Sequence, residues 1–213
     1  MMLNSISNLA SAYLESARLI DSDSLAYALS TGKCELLVRD LVAAKLDMSF
    51  DSNKLSFVAR EWKKHDLTIF VDDQPTTIIE GKAWIHADAL SSNKLHGGKK
   101  PMLLEMMKDV EKIKQTRNLF PRVQGFLTTL LVTCDSLGRD FGKNNPVTYD
   151  YYHRNKIKQF GSRDTMIDNS NKTFTSFISE RFPDCQAKNL KYFESDYRDM
   201  YVRADLFIIE IKG

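Results

Sequence analysis

The chain is poor in cysteine: it has three, Cys34, Cys134 and Cys185, far apart in 213 residues. No CxxC or Cys/His spacing points to zinc, and an odd, sparse count argues against a disulfide framework. Buried free thiols are the expected state. Also missing is any run of about 18 apolar residues, the length a membrane-spanning helix needs. The N-terminus has no basic segment followed by a long apolar stretch, and reads as an ordinary amphipathic helix rather than an export signal. The expectation is a soluble cytoplasmic protein with no membrane partner. Charge of one sign is lacking too. Thirty Lys and Arg against 28 Asp and Glu leave a formal net charge of +2, so overall charge announces no nucleic-acid partner, and local basic clusters must carry that case. What is present is enough for a core: 43% of residues are hydrophobic, and the composition is neither low-complexity nor disorder-prone.

Ile6, Leu9, Ala10, Tyr13, Leu14 and Ala17 recur at helical spacing and predict an amphipathic helix over the first 20 residues. A second helix is predicted over 23–29. After a break at Thr31-Gly32, a third runs over 33–46, with Cys34, Leu37, Val38, Leu41 and Val42 on its apolar side and Glu35 beside that stripe. Strands are predicted over 54–60, 65–71 and 76–84. Pro101 suits a first helical turn, and Leu103, Met106, Met107, Val110 and Ile113 mark a helix to about Asn118. Residues 125–134 carry the most continuous strand signal, that of a strand buried on both faces. Beyond Asp135 the pattern loosens: a loop over 138–146, an aromatic and basic stretch over 149–159, a helix over 173–182 and an added or edge strand over 204–211. With no repeat and no linker, the expectation is one α/β domain over 1–213: N-terminal helices (1–32), a core (33–134) and a C-terminal elaboration (135–213).

The core holds ionisable residues inside apolar strands. His65-Asp66-Leu67-Thr68-Ile69-Phe70-Val71 and Thr76-Thr77-Ile78-Ile79-Glu80-Gly81-Lys82-Ala83-Trp84 are joined by Asp72-Asp73-Gln74-Pro75. An unpaired buried charge costs on the order of several kcal/mol, so Asp66, Glu80 and Lys82 need partners. Two carboxylates and a lysine converging at a sheet edge suit a divalent cation and a water, and hard carboxylate oxygens select Mg²⁺ or Mn²⁺. Side chains alternate faces along a strand. Glu80 and Lys82 therefore share a face, but a regular turn between straight strands leaves Asp66 on the wrong one. A shared face requires an odd-length loop, a bend or a bulge between Asp66 and Glu80. The competing reading is a surface hairpin on which Lys82 simply pairs with Glu80.

With this motif and the order helix, three strands, helix, strand over 33–134, the chain resembles the PD-(D/E)XK nuclease superfamily, the restriction-endonuclease-like fold. The first acid of the motif matches Asp66, and its (D/E)-x-K matches Glu80-Gly81-Lys82. Glu35 matches an acid often found on the preceding helix, and Lys108-Asp109-Val110-Glu111-Lys112 resembles the charged start of the following one. His65 departs from the pattern, standing where the motif is named for proline. The resemblance implies an αβββαβ core with a mixed central sheet flanked by helices. It also implies a Mg²⁺-dependent endonuclease that hydrolyses DNA phosphodiester bonds and leaves a 5′-phosphate, in a restriction- or defence-like role. Asp66, Glu80, the Gly81 carbonyl and Glu35 would hold the metal, Lys82 would orient the attacking water, and a homodimer would fit.

Other segments read less sharply. Lys99 and Lys100 close a basic loop suited to phosphate contact, and Arg154, Lys156 and Lys158 interleave with aromatics in a way that suits backbone contact and stacking or, equally, a solvated helix face. Asp205 and Glu210 form a second acid and E-x-K pattern, but five residues on one strand put them on opposite faces about 16 Å apart. Two further functions compete with a nuclease: a catalytically silent nucleic-acid-binding member of the same fold, and a protein-interaction domain.

Overall fold

Apolar residues alternate sides along the central strands, and each of the two faces so formed is covered by its own set of helices. The computed structural model describes residues 5–31, 34–50, 55–90, 102–135 and 150–212, without the side chains of 150–154. The elements are α1 (Ile6–Ser16), α2 (Ser22–Thr31), α3 (Cys34–Asp47), β1 (Ser56–Arg60), β2 (Leu67–Val71), β3 (Gln74–Ile85), the short α4 (His86–Ala89), α5 (Met102–Leu119), β4 (Gln124–Asp135), α6 (Asp150–Phe160), α7 (Arg163–Arg181), β5 (Gln186–Tyr197) and β6 (Met200–Ile211). A 3-10 turn, Trp62–Lys64, links β1 to β2. The strands form one sheet in the order β1-β2-β3-β4-β6-β5. Its neighbours are antiparallel except β3 and β4, which run parallel across the α5 crossover. The expected order helix, three strands, helix, strand is thus present from α3 to β4, and the protein is α/β with a mixed six-stranded sheet between helices.

Leu67, Ile69, Ile79, Phe126, Leu130, Leu206 and Ile208 point to one face and pack under α1, α2 and α3. Ile78, Leu127, Leu131, Phe207 and Ile209 point to the other, against Met106, Val110 and Ile113 of α5 and Phe174, Phe177 and Ile178 of α7. β4 is buried on both faces, as its sequence predicts. Among the described residues no helix is long and apolar enough to cross a membrane.

Several boundaries differ from expectation, each for a local reason. α1 stops at Ser16, whose hydroxyl donates to the Tyr13 carbonyl at 2.7 Å while Arg18 and Leu19 tighten into i→i−3 bonds. α7 starts ten residues early because Ser162 caps it, accepting from the Thr165 N–H at 3.1 Å. β5 escaped prediction because it is an edge strand, solvated along much of its length and rich in charge. The segment expected as an added or edge strand is the interior strand β6, paired on both sides and four residues longer. It is tied to β5 by a two-residue turn at Arg198-Asp199, and Asp72-Asp73 joins β2 to β3 in the same way; all four residues have positive φ, without a glycine. Cys34 and Cys134 are buried free thiols, whereas Cys185 is only half-buried.

Gly125 opens β4 beneath α5, and a Cβ there would lie 2.2 Å from Ile113 Cγ2. Ile113 is β-branched and helical, so it has little rotamer freedom to yield. Gly125→Ala is expected to cost about 1–3 kcal/mol by overpacking. The check is a lower urea midpoint at unchanged slope.

Candidate active site

The site begins with an unpaired strand edge. β2 pairs with β3 only as far as Leu67↔Ile79, while β3 runs on to Ile85 with β4 on its other side. Gly81 and Ala83 therefore direct their backbone N–H groups into the fork with no strand to receive them. A buried N–H left unmatched costs about 1–3 kcal/mol. Two carboxylates take the strand's place: Gly81 N–H donates to Asp66 Oδ2 at 2.7 Å and Ala83 N–H to Glu35 Oε2 at 3.2 Å. Asp66 reaches in from the residue before β2, and Glu35 from the first turn of α3.

A bulge sets the register. The turn itself is tight, with Val71↔Gln74 and Phe70↔Pro75, but the pairing then jumps to Ile69↔Thr77, leaving Thr76 without a Cα partner. The extra residue brings Asp66 opposite Glu80 when the register is extended one step beyond Leu67↔Ile79. This is the irregularity that the alternation of side chains demands.

The fork encloses a cleft of about 30 Å³ lined by Glu35, Asp66, Gly81 and Lys82, with Tyr13 and Thr128 among its other walls. That volume holds roughly two waters, or an ion and a water. The Lys82 ammonium lies 3.0 Å from Asp109 Oδ2 on α5 and donates to the Gly81 carbonyl at 3.2 Å. Burial alone would depress the Lys82 amine, but Asp109, Glu35 and Asp66 outweigh it and hold it above the usual lysine range. Burial holds the Glu35 carboxyl above its ordinary range; Lys82 pulls it down, while Asp66 and Asp109 push it up. Asp109, read in the sequence only as part of the charged stretch 108–112, is a site residue. Its signal was there: it sits on the buried side of α5, between Met106 and Val110.

Glu80 is placed differently. Fully buried, it faces α5, where Oε1 pairs with His65 Nδ1 and Oε2 accepts from Lys112 Nζ at 2.7 Å. His65 Nε2 meets Thr116 Oγ1 at 2.7 Å, and Lys112 also donates to the Lys64 carbonyl at 2.7 Å. A neutral imidazole protonated at Nδ1 satisfies both contacts, donating to Glu80 and accepting from the threonine hydroxyl. Burial pushes the Glu80 carboxyl up, and its bonds to His65 and Lys112 oppose that rise without cancelling it. The structure thus brings together Asp66, Glu35, Gly81 and Lys82 at one cleft and holds Glu80 on the α5 side. Among the described residues, no group of three or more His, Cys, Asp or Glu is arranged to hold a metal ion.

The remaining candidates lie elsewhere. Lys156 donates to Gln159 at 3.2 Å and Lys158 is exposed on α6. That helix seats Ile157 and Phe160 near Ile85 at the C-terminal end of β3, and neither lines the cleft. Lys99, Lys100 and the side chain of Arg154 lie outside the described residues. Asp205 is sealed in a buried network. It meets His86 Nε2 at 2.9 Å and Arg203 at 2.9 and 3.0 Å, while His86 Nδ1 meets Thr133 Oγ1 at 3.0 Å. No protein-family model, curated protein or solved structure matches the chain.

Lys112→Met would leave Glu80 with His65 alone. A loss of about 1–3 kcal/mol is expected near neutral pH. Because the folded pKa of Glu80 lies above its unfolded value, protonation favours the folded state. The penalty is therefore full above the folded pKa and shrinks as pH falls through it. Urea unfolding of both proteins at neutral and mildly acidic pH checks this, the stability gap narrowing on the acid side.

Proposed function

We propose that the chain is a divalent-metal-dependent endonuclease acting on DNA, built on a restriction-endonuclease-like core. One observation carries the reading: at a bulged strand fork, Asp66, Glu35 and Lys82 share a single cleft. The element order from α3 to β4 supports it. So does the local charge, because Asp66 and Glu35 each use one oxygen on a backbone N–H and keep the other for a hard cation. With the Gly81 carbonyl these groups fit Mg²⁺ or Mn²⁺. Glu80 does not fit that role as it stands, since both its oxygens are engaged.

Bound there, such a cation supplies an acidified water and screens the scissile phosphate. The chain's own groups do the rest. Asp66 and Glu35 are fixed by the strand edge, so little reorganisation is needed at the reacting centre. Lys82, held in its charged form by Asp109, is positioned to orient the attacking water and to stabilise charge building on the phosphoryl oxygens. Glu80 acts from behind, anchoring β3 to α5 through His65 and Lys112. Attack on the phosphorus breaks the bond to the 3′ oxygen and leaves a 5′-phosphate.

The engagement of Glu80 favours a second reading, a member of the same fold that binds nucleic acid without cutting it. Plasmid nicking separates the two. With Mg²⁺ or Mn²⁺ the wild type is expected to nick, EDTA to abolish nicking, and Asp66→Asn, Glu35→Gln and Lys82→Met each to lose about 10²–10³-fold. Binding of the plasmid without metal-dependent nicking would instead establish the silent reading, and neither binding nor nicking would leave an interaction domain.

A further inference from the structure

Four aromatic rings form a row between the β1–β2 pair and the C-terminal end of α5. Phe57 stacks on Phe70 at 4.8 Å with planes 4° apart, Trp62 meets Phe70 edge-on at 5.2 Å, and Trp62 tilts against Phe120 at 5.7 Å. The row is partly open to solvent: Phe57 is 43% exposed, Trp62 and Phe120 are half-buried, and Phe70 is buried behind them. The Lys63 ammonium lies 5.3 Å from both the Trp62 and Phe120 rings.

The backbone that presents Trp62 is strained. Glu61, Lys63 and Lys64 have φ of 60°, 50° and 67°, and none is glycine. Left-handed backbone of this kind persists only where its surroundings impose it, and it clusters where function uses it. Arg39 holds Glu61 and Lys112 holds the Lys64 carbonyl. The turn sets Trp62 just before Asp66, and Lys112 ties it to Glu80. It adjoins the cleft in sequence and through Glu61, which pairs with the cleft-lining Arg39 and whose N–H donates to the Asp66 carbonyl at 3.5 Å.

The exposed charge at the Trp62–Phe120 end of the row is mainly basic, while Asp72 and Asp73 lie exposed beyond its Phe70 end. Lys63, Lys64 and Arg122 are exposed, no acid occurs from Thr116 to Arg122, and the one acid in the turn, Glu61, is paired with Arg39. Flat rings flanked by exposed cations match unpaired bases on a phosphate backbone, since any base stacks on an aromatic face while its phosphate takes the ammonium. A purely apolar partner would leave these lysines unmatched.

We propose that the Phe57–Phe70–Trp62–Phe120 row seats a single-stranded stretch of nucleic acid leading into the Asp66 cleft. A base stacks on Trp62, and Lys63 and Lys64 take the adjoining phosphates. The proposal rests on the reading of the cleft as a nucleic-acid site, and extends it to strand state. In the free protein Lys63 covers the rings, and on binding it exchanges them for phosphate.

The test uses a Trp84→Phe background, so that Trp62 is the sole tryptophan. Trp84 Nε1 has no hydrogen-bond partner among the described residues, so that exchange breaks no bond. Titration with a short oligodeoxythymidylate in EDTA is expected to quench Trp62 fluorescence. Binding followed by anisotropy of a labelled oligonucleotide is expected to weaken about 10- to 100-fold in Trp62→Ala and to be largely retained in Trp62→Phe, which keeps the packing and a stacking face. Lys63→Ala and Lys64→Ala are expected to lower the salt dependence of binding by about one phosphate each. Saturable binding with unchanged Trp62 fluorescence, or equal affinity in Trp62→Ala, would overturn the proposal. So would a better fit to the matching duplex than to the single strand. Nicking is a separate readout: Trp62-dependent binding without nicking removes only the nuclease reading, and metal-dependent nicking with Trp62-independent binding removes only the aromatic seat.

Discussion

The architecture of the site turns on the separation of β2 from β3. Beyond Ile79 the outer edge of β3 has no strand beside it, yet it is covered by α3 and the approach to β2. Buried donors must be matched, and here the nearest suitable acceptors are the carboxylates of Asp66 and Glu35. That requirement fixes both acids to within hydrogen-bond distance of consecutive edge N–H groups, at 2.7 and 3.2 Å. A pair of acids close together would normally repel and drift. Anchored to the backbone, they stay near one another, and Lys82 and Asp109 settle around them.

The same fork sorts the acids by face. Glu80 and Lys82 are two residues apart and leave β3 on the same side, toward α5. Lys82 is long enough to border the cleft and to pair with Asp109 there, whereas Glu80 ends in the pocket made by His65, Thr116 and Lys112. His65, the departure from the motif's usual proline, thereby acquires a role of its own. It closes a buried hydrogen-bonded chain from β3 to α5, and with Lys112 it fixes the strained turn that carries Trp62. Lys112 thus contacts both the turn that carries Trp62, at the Lys64 carbonyl, and Asp109, the partner of Lys82.

Much of this was legible in the sequence, and the limits were physical. Helices α2, α3 and α5 and strand β4 follow from apolar periodicity because each buries one well-defined side, or both. Parity calls for an odd-length loop, a bend or a bulge between Asp66 and Glu80, and the bulge at Thr76 is the form it takes. β5 left no such trace, because an edge strand needs no alternation strong enough to show above its charged residues. Asp109 and the His65–Glu80–Lys112 chain were hidden for a different reason. Their partners lie tens of residues away, and only the packing of α5 on the sheet brings them within reach. The Asp205 look-alike was set aside on spacing, and it proves to be a closed network with His86, Thr133 and Arg203. Its position inside the sheet, one strand from the edge, was missed because continuous apolar strands look alike whether they lie inside a sheet or at its edge.

Charge balance ties these elements to function. Asp66, Glu35, Asp109 and Glu80 surround the fork, and the cations among them are Lys82 and Lys112. Arg39 also borders the cleft but is paired with Asp40 and Glu61. Four carboxyl groups thus face two ammonium groups. Burial raises the Glu35 and Glu80 carboxyls, and the neighbouring Asp66 adds to the rise. A fold that needed only to cap two N–H groups could have used asparagine or serine, which accept a hydrogen bond without bringing charge. Carboxylates that outnumber their cationic partners, beside a cleft of about 30 Å³, are what the proposed divalent cation would balance.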